Sequence, residues 1–329
     1  MTEVAAFAGV SVATVGRVLN NKPGIAKATR DLVLTALDAL GYERPPALRG
    51  ERAGLVGLVV PDLLNPIFPA FVEAVIAGLV KQGLMPVLCT RTADGVSEAN
   101  YIKLLLNHQV TGIIFIGGSF ADAGPEYCRQ LRDLALPMVL INPADVNGLP
   151  SVCVDDGAAV DRALDHLTGL GHERIGLILG PVGHVPSARK LAAYRAYRER
   201  SGADGHRPAL VVHTAFSMEG GRSAAERLFD DGATALVCAS DAMALGAVRG
   251  AHKRGLRVPD DVSVVGFDDS PYMIATDPAL TTIRQPVRAM GAAAVESLRA
   301  QIDGHANGGG ELSFEPELIV RASTGIPRS

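Results

Sequence analysis

The chain has 329 residues, of which 48% are hydrophobic and 20% charged, and this composition excludes a largely disordered protein and fits two or three folded domains. Its start, MTEVAAFAGVS, lacks the features of a signal peptide, and its apolar runs are far shorter than the roughly 20 residues of a membrane span. The four cysteines show no metal-ligand spacing. We therefore expect a cytoplasmic protein with reduced cysteines.

Charge is distributed unevenly along the chain. The net charge of −4 argues against a protein that coats nucleic acid over its whole surface. Residues 1–52 nevertheless carry seven basic and five acidic side chains, whereas the remaining residues carry 24 basic and 30 acidic side chains. A small basic segment ahead of a larger acidic body indicates an anionic partner for that segment alone.

The basic segment predicts three short helices within residues 1–42. The first covers about 2–8 and is followed by Gly9, and the second begins after the N-cap Ser11 and ends near Leu19. The third covers about 29–40, where apolar residues recur at helical spacing before Gly41. This arrangement is compatible with a helix-turn-helix.

The second predicted helix has the two faces that a DNA-recognition helix needs. Val15, Val18 and Leu19 would pack inward, which leaves small and polar side chains on the face that enters the major groove. An arginine can bind guanine O6 and N7, and hydroxyl or amide groups can bind phosphates. The pattern alone leaves open an ordinary three-helix cap with a solvated arginine. The candidate DNA-binding residues of this segment are Ser11, Val12, Ala13, Thr14, Arg17 and Asn20.

The stretches AGVSVATVGRVLN and TRDLVLTALDALGY closely resemble the N-terminal DNA-binding domain of the LacI/GalR family of bacterial transcription regulators. The resemblance implies that Val12 and Ala13 begin the recognition helix and that Arg17 reads a base. The chain departs from the family pattern in having fewer residues before Val4 and in having Gly16 where a serine is usual. Glycine lacks the phosphate contact and lowers helix stability by about 1 kcal/mol relative to alanine.

Residues 43–53, ERPPALRGERA, form the predicted linker. Two consecutive prolines prevent the third helix from continuing. The resemblance implies a hinge segment that becomes helical on DNA, with Leu48 wedged into the minor groove and Arg49 on a phosphate. The segment is shorter than the family pattern, and Gly50 would end such a helix early, so a flexible linker is the alternative.

From residue 55 onward, apolar runs alternate with helical stretches. Continuous apolar strands are typical of strands buried on both faces, and strand–helix alternation predicts doubly wound parallel sheets. The pattern occurs twice, beginning at LVGLVVPD and at RIGLILGP, and predicts two lobes with a ligand cleft at the carboxyl ends of their strands. The predicted strands are 55–60, 86–89, 112–116, 138–141, 174–179, 209–212, 235–239 and 262–267. The predicted helices are 68–82, 97–107, 125–134, 157–170, 189–200, 219–230, 242–254 and 287–303.

Later motifs extend the resemblance to the C-terminus: PDLLNPIF, SVCVDD, HLTGLGHERIGLILG, ASDAMALGAVRGAHKRGLRVPDDVSVVGFDD and LTTIRQP are similar to LacI/GalR effector domains, whose fold is shared with periplasmic sugar-binding proteins. The implied fold class is an N-terminal three-helix helix-turn-helix head plus an α/β periplasmic-binding-protein-like (type I) body of two doubly wound lobes. The implied domains are the head at 1–42, the linker at 43–53, lobe 1 at 54–156 with 286–315, and lobe 2 at 157–285 with 316–329.

No recognisable catalytic or cofactor motif accompanies this pattern. The sequence lacks GxSxG, GxxxxGK[ST] and HExxH, and its histidines do not pair with acids or cysteines at metal-ligand spacing. Asp155-Asp156 and Asp268-Asp269 are adjacent carboxylates that point in different directions, and His172 after Gly171 is expected to be a turn residue. We therefore expect neither an enzyme nor a bound cofactor or metal.

Loops after the predicted strands supply candidates for a ligand site. The resemblance implies that Asp268 binds the ligand and that Phe216 stacks on it, with helix capping and core packing as their alternative roles. Lys190 stands where the family usually has an effector-binding arginine, and its neighbour Arg189 could bind the effector instead. Asn65 matches a contact position but could simply start a helix. The candidate effector-binding residues are Asn65, Phe68, Lys190, Phe216, Ser240 and Asp268.

Together these features predict a homodimeric transcription regulator, more commonly a repressor in this family, that binds a pseudo-palindromic operator and a small-molecule effector. A sugar or sugar derivative is the expected effector, with a nucleobase or another metabolite as alternatives. The predicted helix at 68–82 could form the dimer surface or belong to the core. A solute-binding protein without DNA function and a sugar-acting doubly wound enzyme are the alternatives from other classes.

Overall fold

The computed structural model describes residues 1–20, 22, 24–42, 54–90, 98–117, 136–143, 149–202, 208–305 and 310–328. The chain divides into two compact units, residues 1–55 and 56–329. The predicted hinge residues Leu48 and Arg49, the predicted helix at 125–134 and Cys128 lie outside the described residues.

The first unit contains the three predicted helices, α1 (Thr2–Ala8), α2 (Val12–Leu19) and α3 (Lys27–Ala39). Gly9 ends α1 at a φ of 65°, in the left-handed region that glycine adopts without strain, and α2 leaves at 101° to α1. A small apolar core holds the three helices together, and its buried members are Val4, Ala5, Ala8, Val15, Val18, Val33, Ala36 and Leu37.

Where the chain is described, no single helix has both the length and the apolar character to cross a membrane. Only α1 and α2 taken together as a bent pair meet that criterion, on length and composition.

The second unit contains two sheets flanked by helices. The first sheet has the strand order β11-β5-β4-β3-β1-β2, and every pairing among its described registers is parallel. Its strands and flanking helices are β1 (Leu55–Val60), α4 (Ile67–Lys81), β2 (Met85–Thr90), α5 (Glu98–Asn107), β3 (Gly112–Ile116), β4 (Met138–Ile141), β5 (Ser151–Val154), α10 (Val287–Ile302) and β11 (Glu311–Phe314).

The second sheet has the order β12-β10-β9-β8-β6-β7 and is parallel except for β12, which runs antiparallel to β10. Its strands and flanking helices are α6 (Asp156–Gly169), β6 (Ile175–Leu179), α7 (Val185–Arg200), β7 (Val211–His213), α8 (Met218–Asp230), β8 (Ala235–Cys238), α9 (Asp241–Lys253), β9 (Ser263–Asp268), β10 (Thr281–Arg284) and β12 (Glu317–Ile319).

The chain passes between the two sheets three times. It leaves the first sheet after β5, returns between β10 and α10, and passes back to the second sheet between β11 and β12. The central strands β3, β4, β6 and β8 are buried along their whole length, as their continuous apolar sequences predict. The carboxyl ends of both sets of parallel strands supply the loops that form the site described below.

The sequence prediction missed four short strands, β5, β10, β11 and β12, which have three or four residues each. Each has at least one polar residue in a run of only three or four, so the apolar signal is weak, and tertiary pairing decides these strands. The helix predicted at 189–200 begins earlier, at Val185, because the His184 side chain caps its first turn by accepting a hydrogen bond from the Ser187 backbone N–H at 3.4 Å.

His172 is more than the turn residue predicted. Its side chain is buried, and its ring nitrogens contact Thr234 Oγ1 at 3.0 Å, Ser263 Oγ at 2.9 Å and the Gly325 carbonyl oxygen at 3.0 Å. It therefore ties the C-terminal segment to the second sheet. Burial lowers the pKa of His172 below its usual value of 6.5, and the bond to Gly325 opposes this shift only in part.

We expect this histidine to make the free energy of unfolding fall as the pH drops below about 6.5. The unfolded chain takes up a proton at that pH, whereas the folded protein holds the ring neutral to a lower pH, so acid favours the unfolded state. His172→Gln should be less stable at pH 7.5 but lose less stability between pH 7 and 5. Urea denaturation of the wild type and the variant across this range measures how steeply the free energy of unfolding of each changes with pH. Equal slopes would exclude His172 as the source of the acid sensitivity.

Candidate effector site and DNA-recognition helix

The two faces of α2 are as the sequence predicts. Val15 and Val18 are fully buried against α1 and α3, while Val12, Ala13 and Arg17 are exposed. The resulting outer face is short, has no acidic side chain and carries one cation. Such a face can enter a major groove without like-charge repulsion from phosphates.

The remaining polar candidates of the head hold the ends of α2. Ser11 is the N-cap, and its Oγ accepts the Thr14 backbone N–H at 3.1 Å and lies 2.8 Å from Thr14 Oγ1. Asn20 Nδ2 donates to the Gly16 carbonyl oxygen at 2.8 Å. A Cβ on Gly16 would meet nothing within 4 Å, so packing does not require glycine there. Phosphate contacts by these residues remain a prediction.

In the second unit, Asp268 lies at the carboxyl end of β9 with an unusual backbone. Its φ is 125°, and Asp269 follows with a φ of 55°; non-glycine residues rarely adopt such values, and they concentrate at functional sites. Asp269 is held there by ion pairs with Arg284 at 2.7 Å and Arg321 at 2.6 Å. The anchored turn buries the Asp268 side chain, which is only 6% exposed.

The carboxyl group of Asp268 is only partly satisfied. Gln285 Nε2 donates to its Oδ1 at 2.8 Å, whereas Oδ2 is buried without a hydrogen-bond partner. Burial and the nearby charge of Asp241 raise the pKa of Asp268 well above its usual range, while Gln285, Lys190 and the Asn65 side chain oppose the shift. A buried oxygen of this kind is an acceptor that a ligand hydroxyl can satisfy.

A chain of hydrogen bonds connects Asp268 of the second sheet to the first sheet. Gln285 Oε1 accepts Asn142 Nδ2 at 2.8 Å, and Asn142 Oδ1 accepts the Val154 backbone N–H at 3.1 Å. Asn142 follows β4 of the first sheet, whereas Asp268 is the last residue of β9 of the second. The bonds from Asn142 through Gln285 to Asp268 thus connect the carboxyl ends of the two sheets.

Asp241 is a second buried carboxyl beside Asp268. Its Oδ1 accepts Thr282 Oγ1 at 2.6 Å, and its Oδ2 accepts the Ser270 backbone N–H at 2.7 Å. Burial raises the pKa of Asp241 to about 6, and these hydrogen bonds limit the shift. The group ties α9 to the turn after β9 and to β10.

Lys190 lies in the same region, where it forms an ion pair with Asp156; both residues are 5% exposed. The Lys190 ammonium also stands 3.9 Å from the centroid of the Phe267 ring, a cation–π contact. Lys190 and Phe267 line a small, mainly apolar cavity of about 10 Å³, roughly the size of one water molecule. Arg189, the alternative to Lys190, instead binds Glu311 of β11 through two hydrogen bonds of 3.2 and 2.8 Å.

Two aromatic candidates pack over glycines that follow strands, one in each lobe. Phe216 is 38% exposed, and its ring lies so close to Gly180 that a Cβ there would overlap it; its edge contacts the His184 ring with centroids 5.0 Å apart. Phe68 occupies the corresponding space over Gly117, where a Cβ would come within 2.6 Å of its ring. Both rings are held by glycines after β6 and β3, and Phe216 is exposed enough to stack on a ligand.

The other two candidates also have structural roles. Asn65 Oδ1 accepts the Ile67 backbone N–H at 3.3 Å and so starts α4, although its side chain acts on Asp268 as well. Ser240 is buried, and its Oγ caps α9 by accepting the Met243 backbone N–H at 3.3 Å. A ligand contact by either residue remains a prediction.

Sequence reasoning did not assign Asn142, Asp156, Gln285 or His184 to the site. Asn142, Asp156 and Gln285 all follow a strand end, which is the signal used for the other candidates. Asn142 follows β4, which was predicted, and could have been found by this signal, whereas β5 and β10 had not been predicted as strands. His184 was considered only as a metal ligand. Within the described part of the chain, no group of three or more histidine, cysteine or acidic side chains could hold a metal ion.

Comparison with known proteins agrees with both units. The family described as "Bacterial regulatory proteins, lacI family" matches residues 1–45, and the "Periplasmic binding protein-like domain" matches residues 164–324. The HTH-type transcriptional regulator reg1 of Streptomyces lividans is 49% identical over 98% of this chain and 96% of its own length.

Two solved structures extend the comparison to the whole fold. The transcriptional regulator CelR in complex with cellobiose has a TM-score of 0.73 and 30% identity, and the lac repressor dimer bound to operator and the anti-inducer ONPF has a TM-score of 0.78 and 29% identity. Each comparison covers 98% of this chain and 98% of the known chain.

A helix-turn-helix head and a two-lobed periplasmic-binding-protein-like body define a DNA-binding transcriptional regulator rather than an enzyme. The chain belongs to the LacI family of these regulators.

Proposed function

We propose that this protein is a homodimeric repressor of the cytoplasm, acting at the nucleoid, whose affinity for a pseudo-palindromic operator is controlled by a carbohydrate bound between the two lobes. The observation that carries the effector half is the buried, unpartnered Oδ2 of Asp268 at the carboxyl ends of two parallel sheets. The relatives support both halves, since one known structure contains cellobiose and another contains operator DNA.

Carbohydrate binding suits this site because sugars present hydroxyl donors and apolar ring faces. A hydroxyl can donate to Asp268 Oδ2, and a ring face can stack on the exposed Phe216. The small cavity beside Lys190 is lined by residues of the second lobe, so a sugar would bind outside it, between the two lobes. A movement of the lobes apart to admit the sugar would break the bond between Asn142 and Gln285. This contact is therefore the proposed link between ligand binding and lobe position.

Dimer formation would use the edge of the first sheet. The apolar side chains of α4 that the sequence left open as a dimer surface lie mostly in the core, since Val75 and Leu79 are fully buried. By contrast, the edge strand β2 exposes apolar side chains, among them Met85 at 53% and Leu88 at 43%. An exposed apolar edge is an association surface. Light scattering coupled to gel filtration measures the proposed dimer directly.

The proposal is tested by fluorescence anisotropy of the purified chain on duplexes that tile the DNA upstream of its own gene, at two salt concentrations. We expect tight binding to one tile, weakened by salt because phosphate contacts release counterions. Neutral pentoses, hexoses and disaccharides such as cellobiose are then added to the complex, and one of them should release the DNA. Weak binding that is equal on all tiles would contradict the regulator assignment for the head.

Replacing the recognition arginine tests how the head reads DNA. Arg17→Ala should cost about 1–3 kcal/mol of discrimination between the operator and a scrambled duplex, because a base contact is lost. Lys22→Ala, at an exposed cation of the same head, is the control and should weaken binding to both duplexes alike. Anisotropy titrations give, for each variant, the ratio of its affinities for the operator and the scrambled duplex. An equal loss of affinity for both duplexes in Arg17→Ala would contradict base reading.

A further inference from the structure

The cations beside the candidate effector site are matched by carboxylates. Lys190 is paired with Asp156 in a buried contact. Arg189, the next basic side chain on α7, is held by both carboxylate oxygens of Glu311. The charges of Lys190 and Arg189 are therefore already balanced before a ligand arrives.

The acids of the site are not balanced in the same way. Asp268 keeps one buried oxygen without a hydrogen-bond partner, and Asp241 places a second buried carboxyl close enough to raise the pKa of Asp268. The groups that contact these two acids are neutral amide, hydroxyl and backbone donors, from Gln285, Thr282 and Ser270. The described hydrogen-bond donors to Asp268 and Asp241 are thus uncharged, and one acceptor oxygen remains open.

We propose, building on the effector function assigned above, that this site selects uncharged polyhydroxyl ligands against phosphorylated ones, and that Asp156 sets this preference by neutralising Lys190.

The physical basis is the cost of burying charge. A phosphate ester placed beside the buried carboxyl groups of Asp268 and Asp241 would bring its own negative charge into a region of low dielectric, where a charge without a cationic partner is costly. Lys190 is the cation that could offset this cost, but its ammonium is committed to Asp156. A neutral sugar meets no such penalty, and its hydroxyls satisfy the open oxygen of Asp268.

The test compares charged and uncharged probes on the full chain by thermal shift and calorimetry. The probes are ribose, glucose and cellobiose against ribose 5-phosphate, glucose 6-phosphate and inorganic phosphate, at matched ionic strength. We expect any binding by the wild-type protein to favour the neutral sugar by more than about tenfold over its phosphate ester. Saturable binding of inorganic phosphate or a sugar phosphate with equal or higher affinity would overturn the proposal, and this comparison needs no variant.

Asp156→Asn then assigns the preference to one residue. It leaves the Lys190 charge without its carboxylate, so the variant should gain saturable binding of inorganic phosphate by about tenfold or more. Asp161→Asn is the matched control, because it removes the same charge from α6 at a partly exposed position paired with Arg200, and it should behave as wild type. The double change Asp156→Asn and Lys190→Gln removes both charges and should not gain phosphate binding.

Identical phosphate affinity in the wild type and Asp156→Asn would exclude Asp156 as the determinant. If no neutral sugar binds either protein while Asp156→Asn gains phosphate binding, the charge assignment stands and the carbohydrate part of the proposed function fails.

Discussion

Asp268→Asn is expected to abolish the response of the protein to its effector at working concentrations while leaving its operator affinity unchanged. Asparagine keeps the shape of the side chain and the contact with Gln285 but removes a carboxylate acceptor. A hydrogen bond to a charged group contributes about 1.5–3 kcal/mol, so the effector affinity should fall by about one to two orders of magnitude. Release of a labelled operator duplex by the identified sugar measures the loss.

The same substitution gives a second signature that separates it from general damage. Burial and the charge of Asp241 raise the pKa of Asp268, which means that the ionised carboxylate opposes folding at neutral pH. The neutral asparagine removes that repulsion, so the free energy of unfolding at pH 7 should not decrease. Asp260→Asn, in an exposed ion pair with Arg257 at 3.0 Å, is the control and should keep the effector response. A full response in Asp268→Asn would remove this residue from the site.

Gly246→Ala is expected to destabilise the body more than any other single methyl addition discussed here. Helices α8 and α9 pack with their backbones in contact: a Cβ on Gly246 would overlap the Met218 carbonyl oxygen and lie 2.8 Å from the Arg222 nitrogen, and a Cβ on Gly221 would lie 2.6 Å from the Met243 Cα. Backbone atoms cannot turn aside as a flexible side chain can, so the helices must separate. The expected loss of unfolding free energy is about 3 kcal/mol or more.

Gly169→Ala provides the matched control for this effect. Gly169 is the last residue of α6, and a Cβ there would meet nothing within 4 Å. Alanine should therefore be neutral or stabilising by up to about 1 kcal/mol, because it lowers the entropy of the unfolded chain. Chemical denaturation of both variants gives the comparison. Similar unfolding free energies for Gly246→Ala and the wild type would show that the helices repack without cost.

The long amphipathic helices and the central strands were predictable from the sequence because their signals are local. Strand β3 was predicted at its observed bounds because GIIFI is a continuous apolar run with a turn on each side. The start of α2 was equally accessible, since the Ser11 hydroxyl caps its own helix within three residues. These features depend on side-chain polarity and spacing over a few residues, which the sequence states directly.

Strand β11 illustrates what the sequence did not reveal. It has polar residues at two of four positions and forms only because it pairs with β5, which lies about half the chain away in sequence. Such pairing is a contact that a single-sequence pattern does not encode. The start of α7 at Val185 was missed for a different reason: its cap is local, but histidine is not among the usual N-cap residues.

Family resemblance and strand-end polarity brought Asp268, Lys190 and Phe216 to attention, but their chemistry came from the tertiary structure. Asp156 and Lys190 are 34 residues apart, and nothing in their local sequence indicates that they form a buried ion pair. The bonds that join Asn142, Gln285 and Asp268 connect three strand ends from two sheets. Such relations depend on how the sheets meet.

The class of this protein follows from its sequence: a basic three-helix head with a recognition helix of small and polar outer residues, joined to an acidic body of two alternating α/β lobes. Periodicity, helix caps and charge carry that information because they act between near neighbours in the chain. The tertiary structure was needed to show which carboxylates are buried, which cations they neutralise, and which acceptor oxygen is left without a partner. Burial and long-range pairing set the free energy of a charge, and both arise only when distant segments come together.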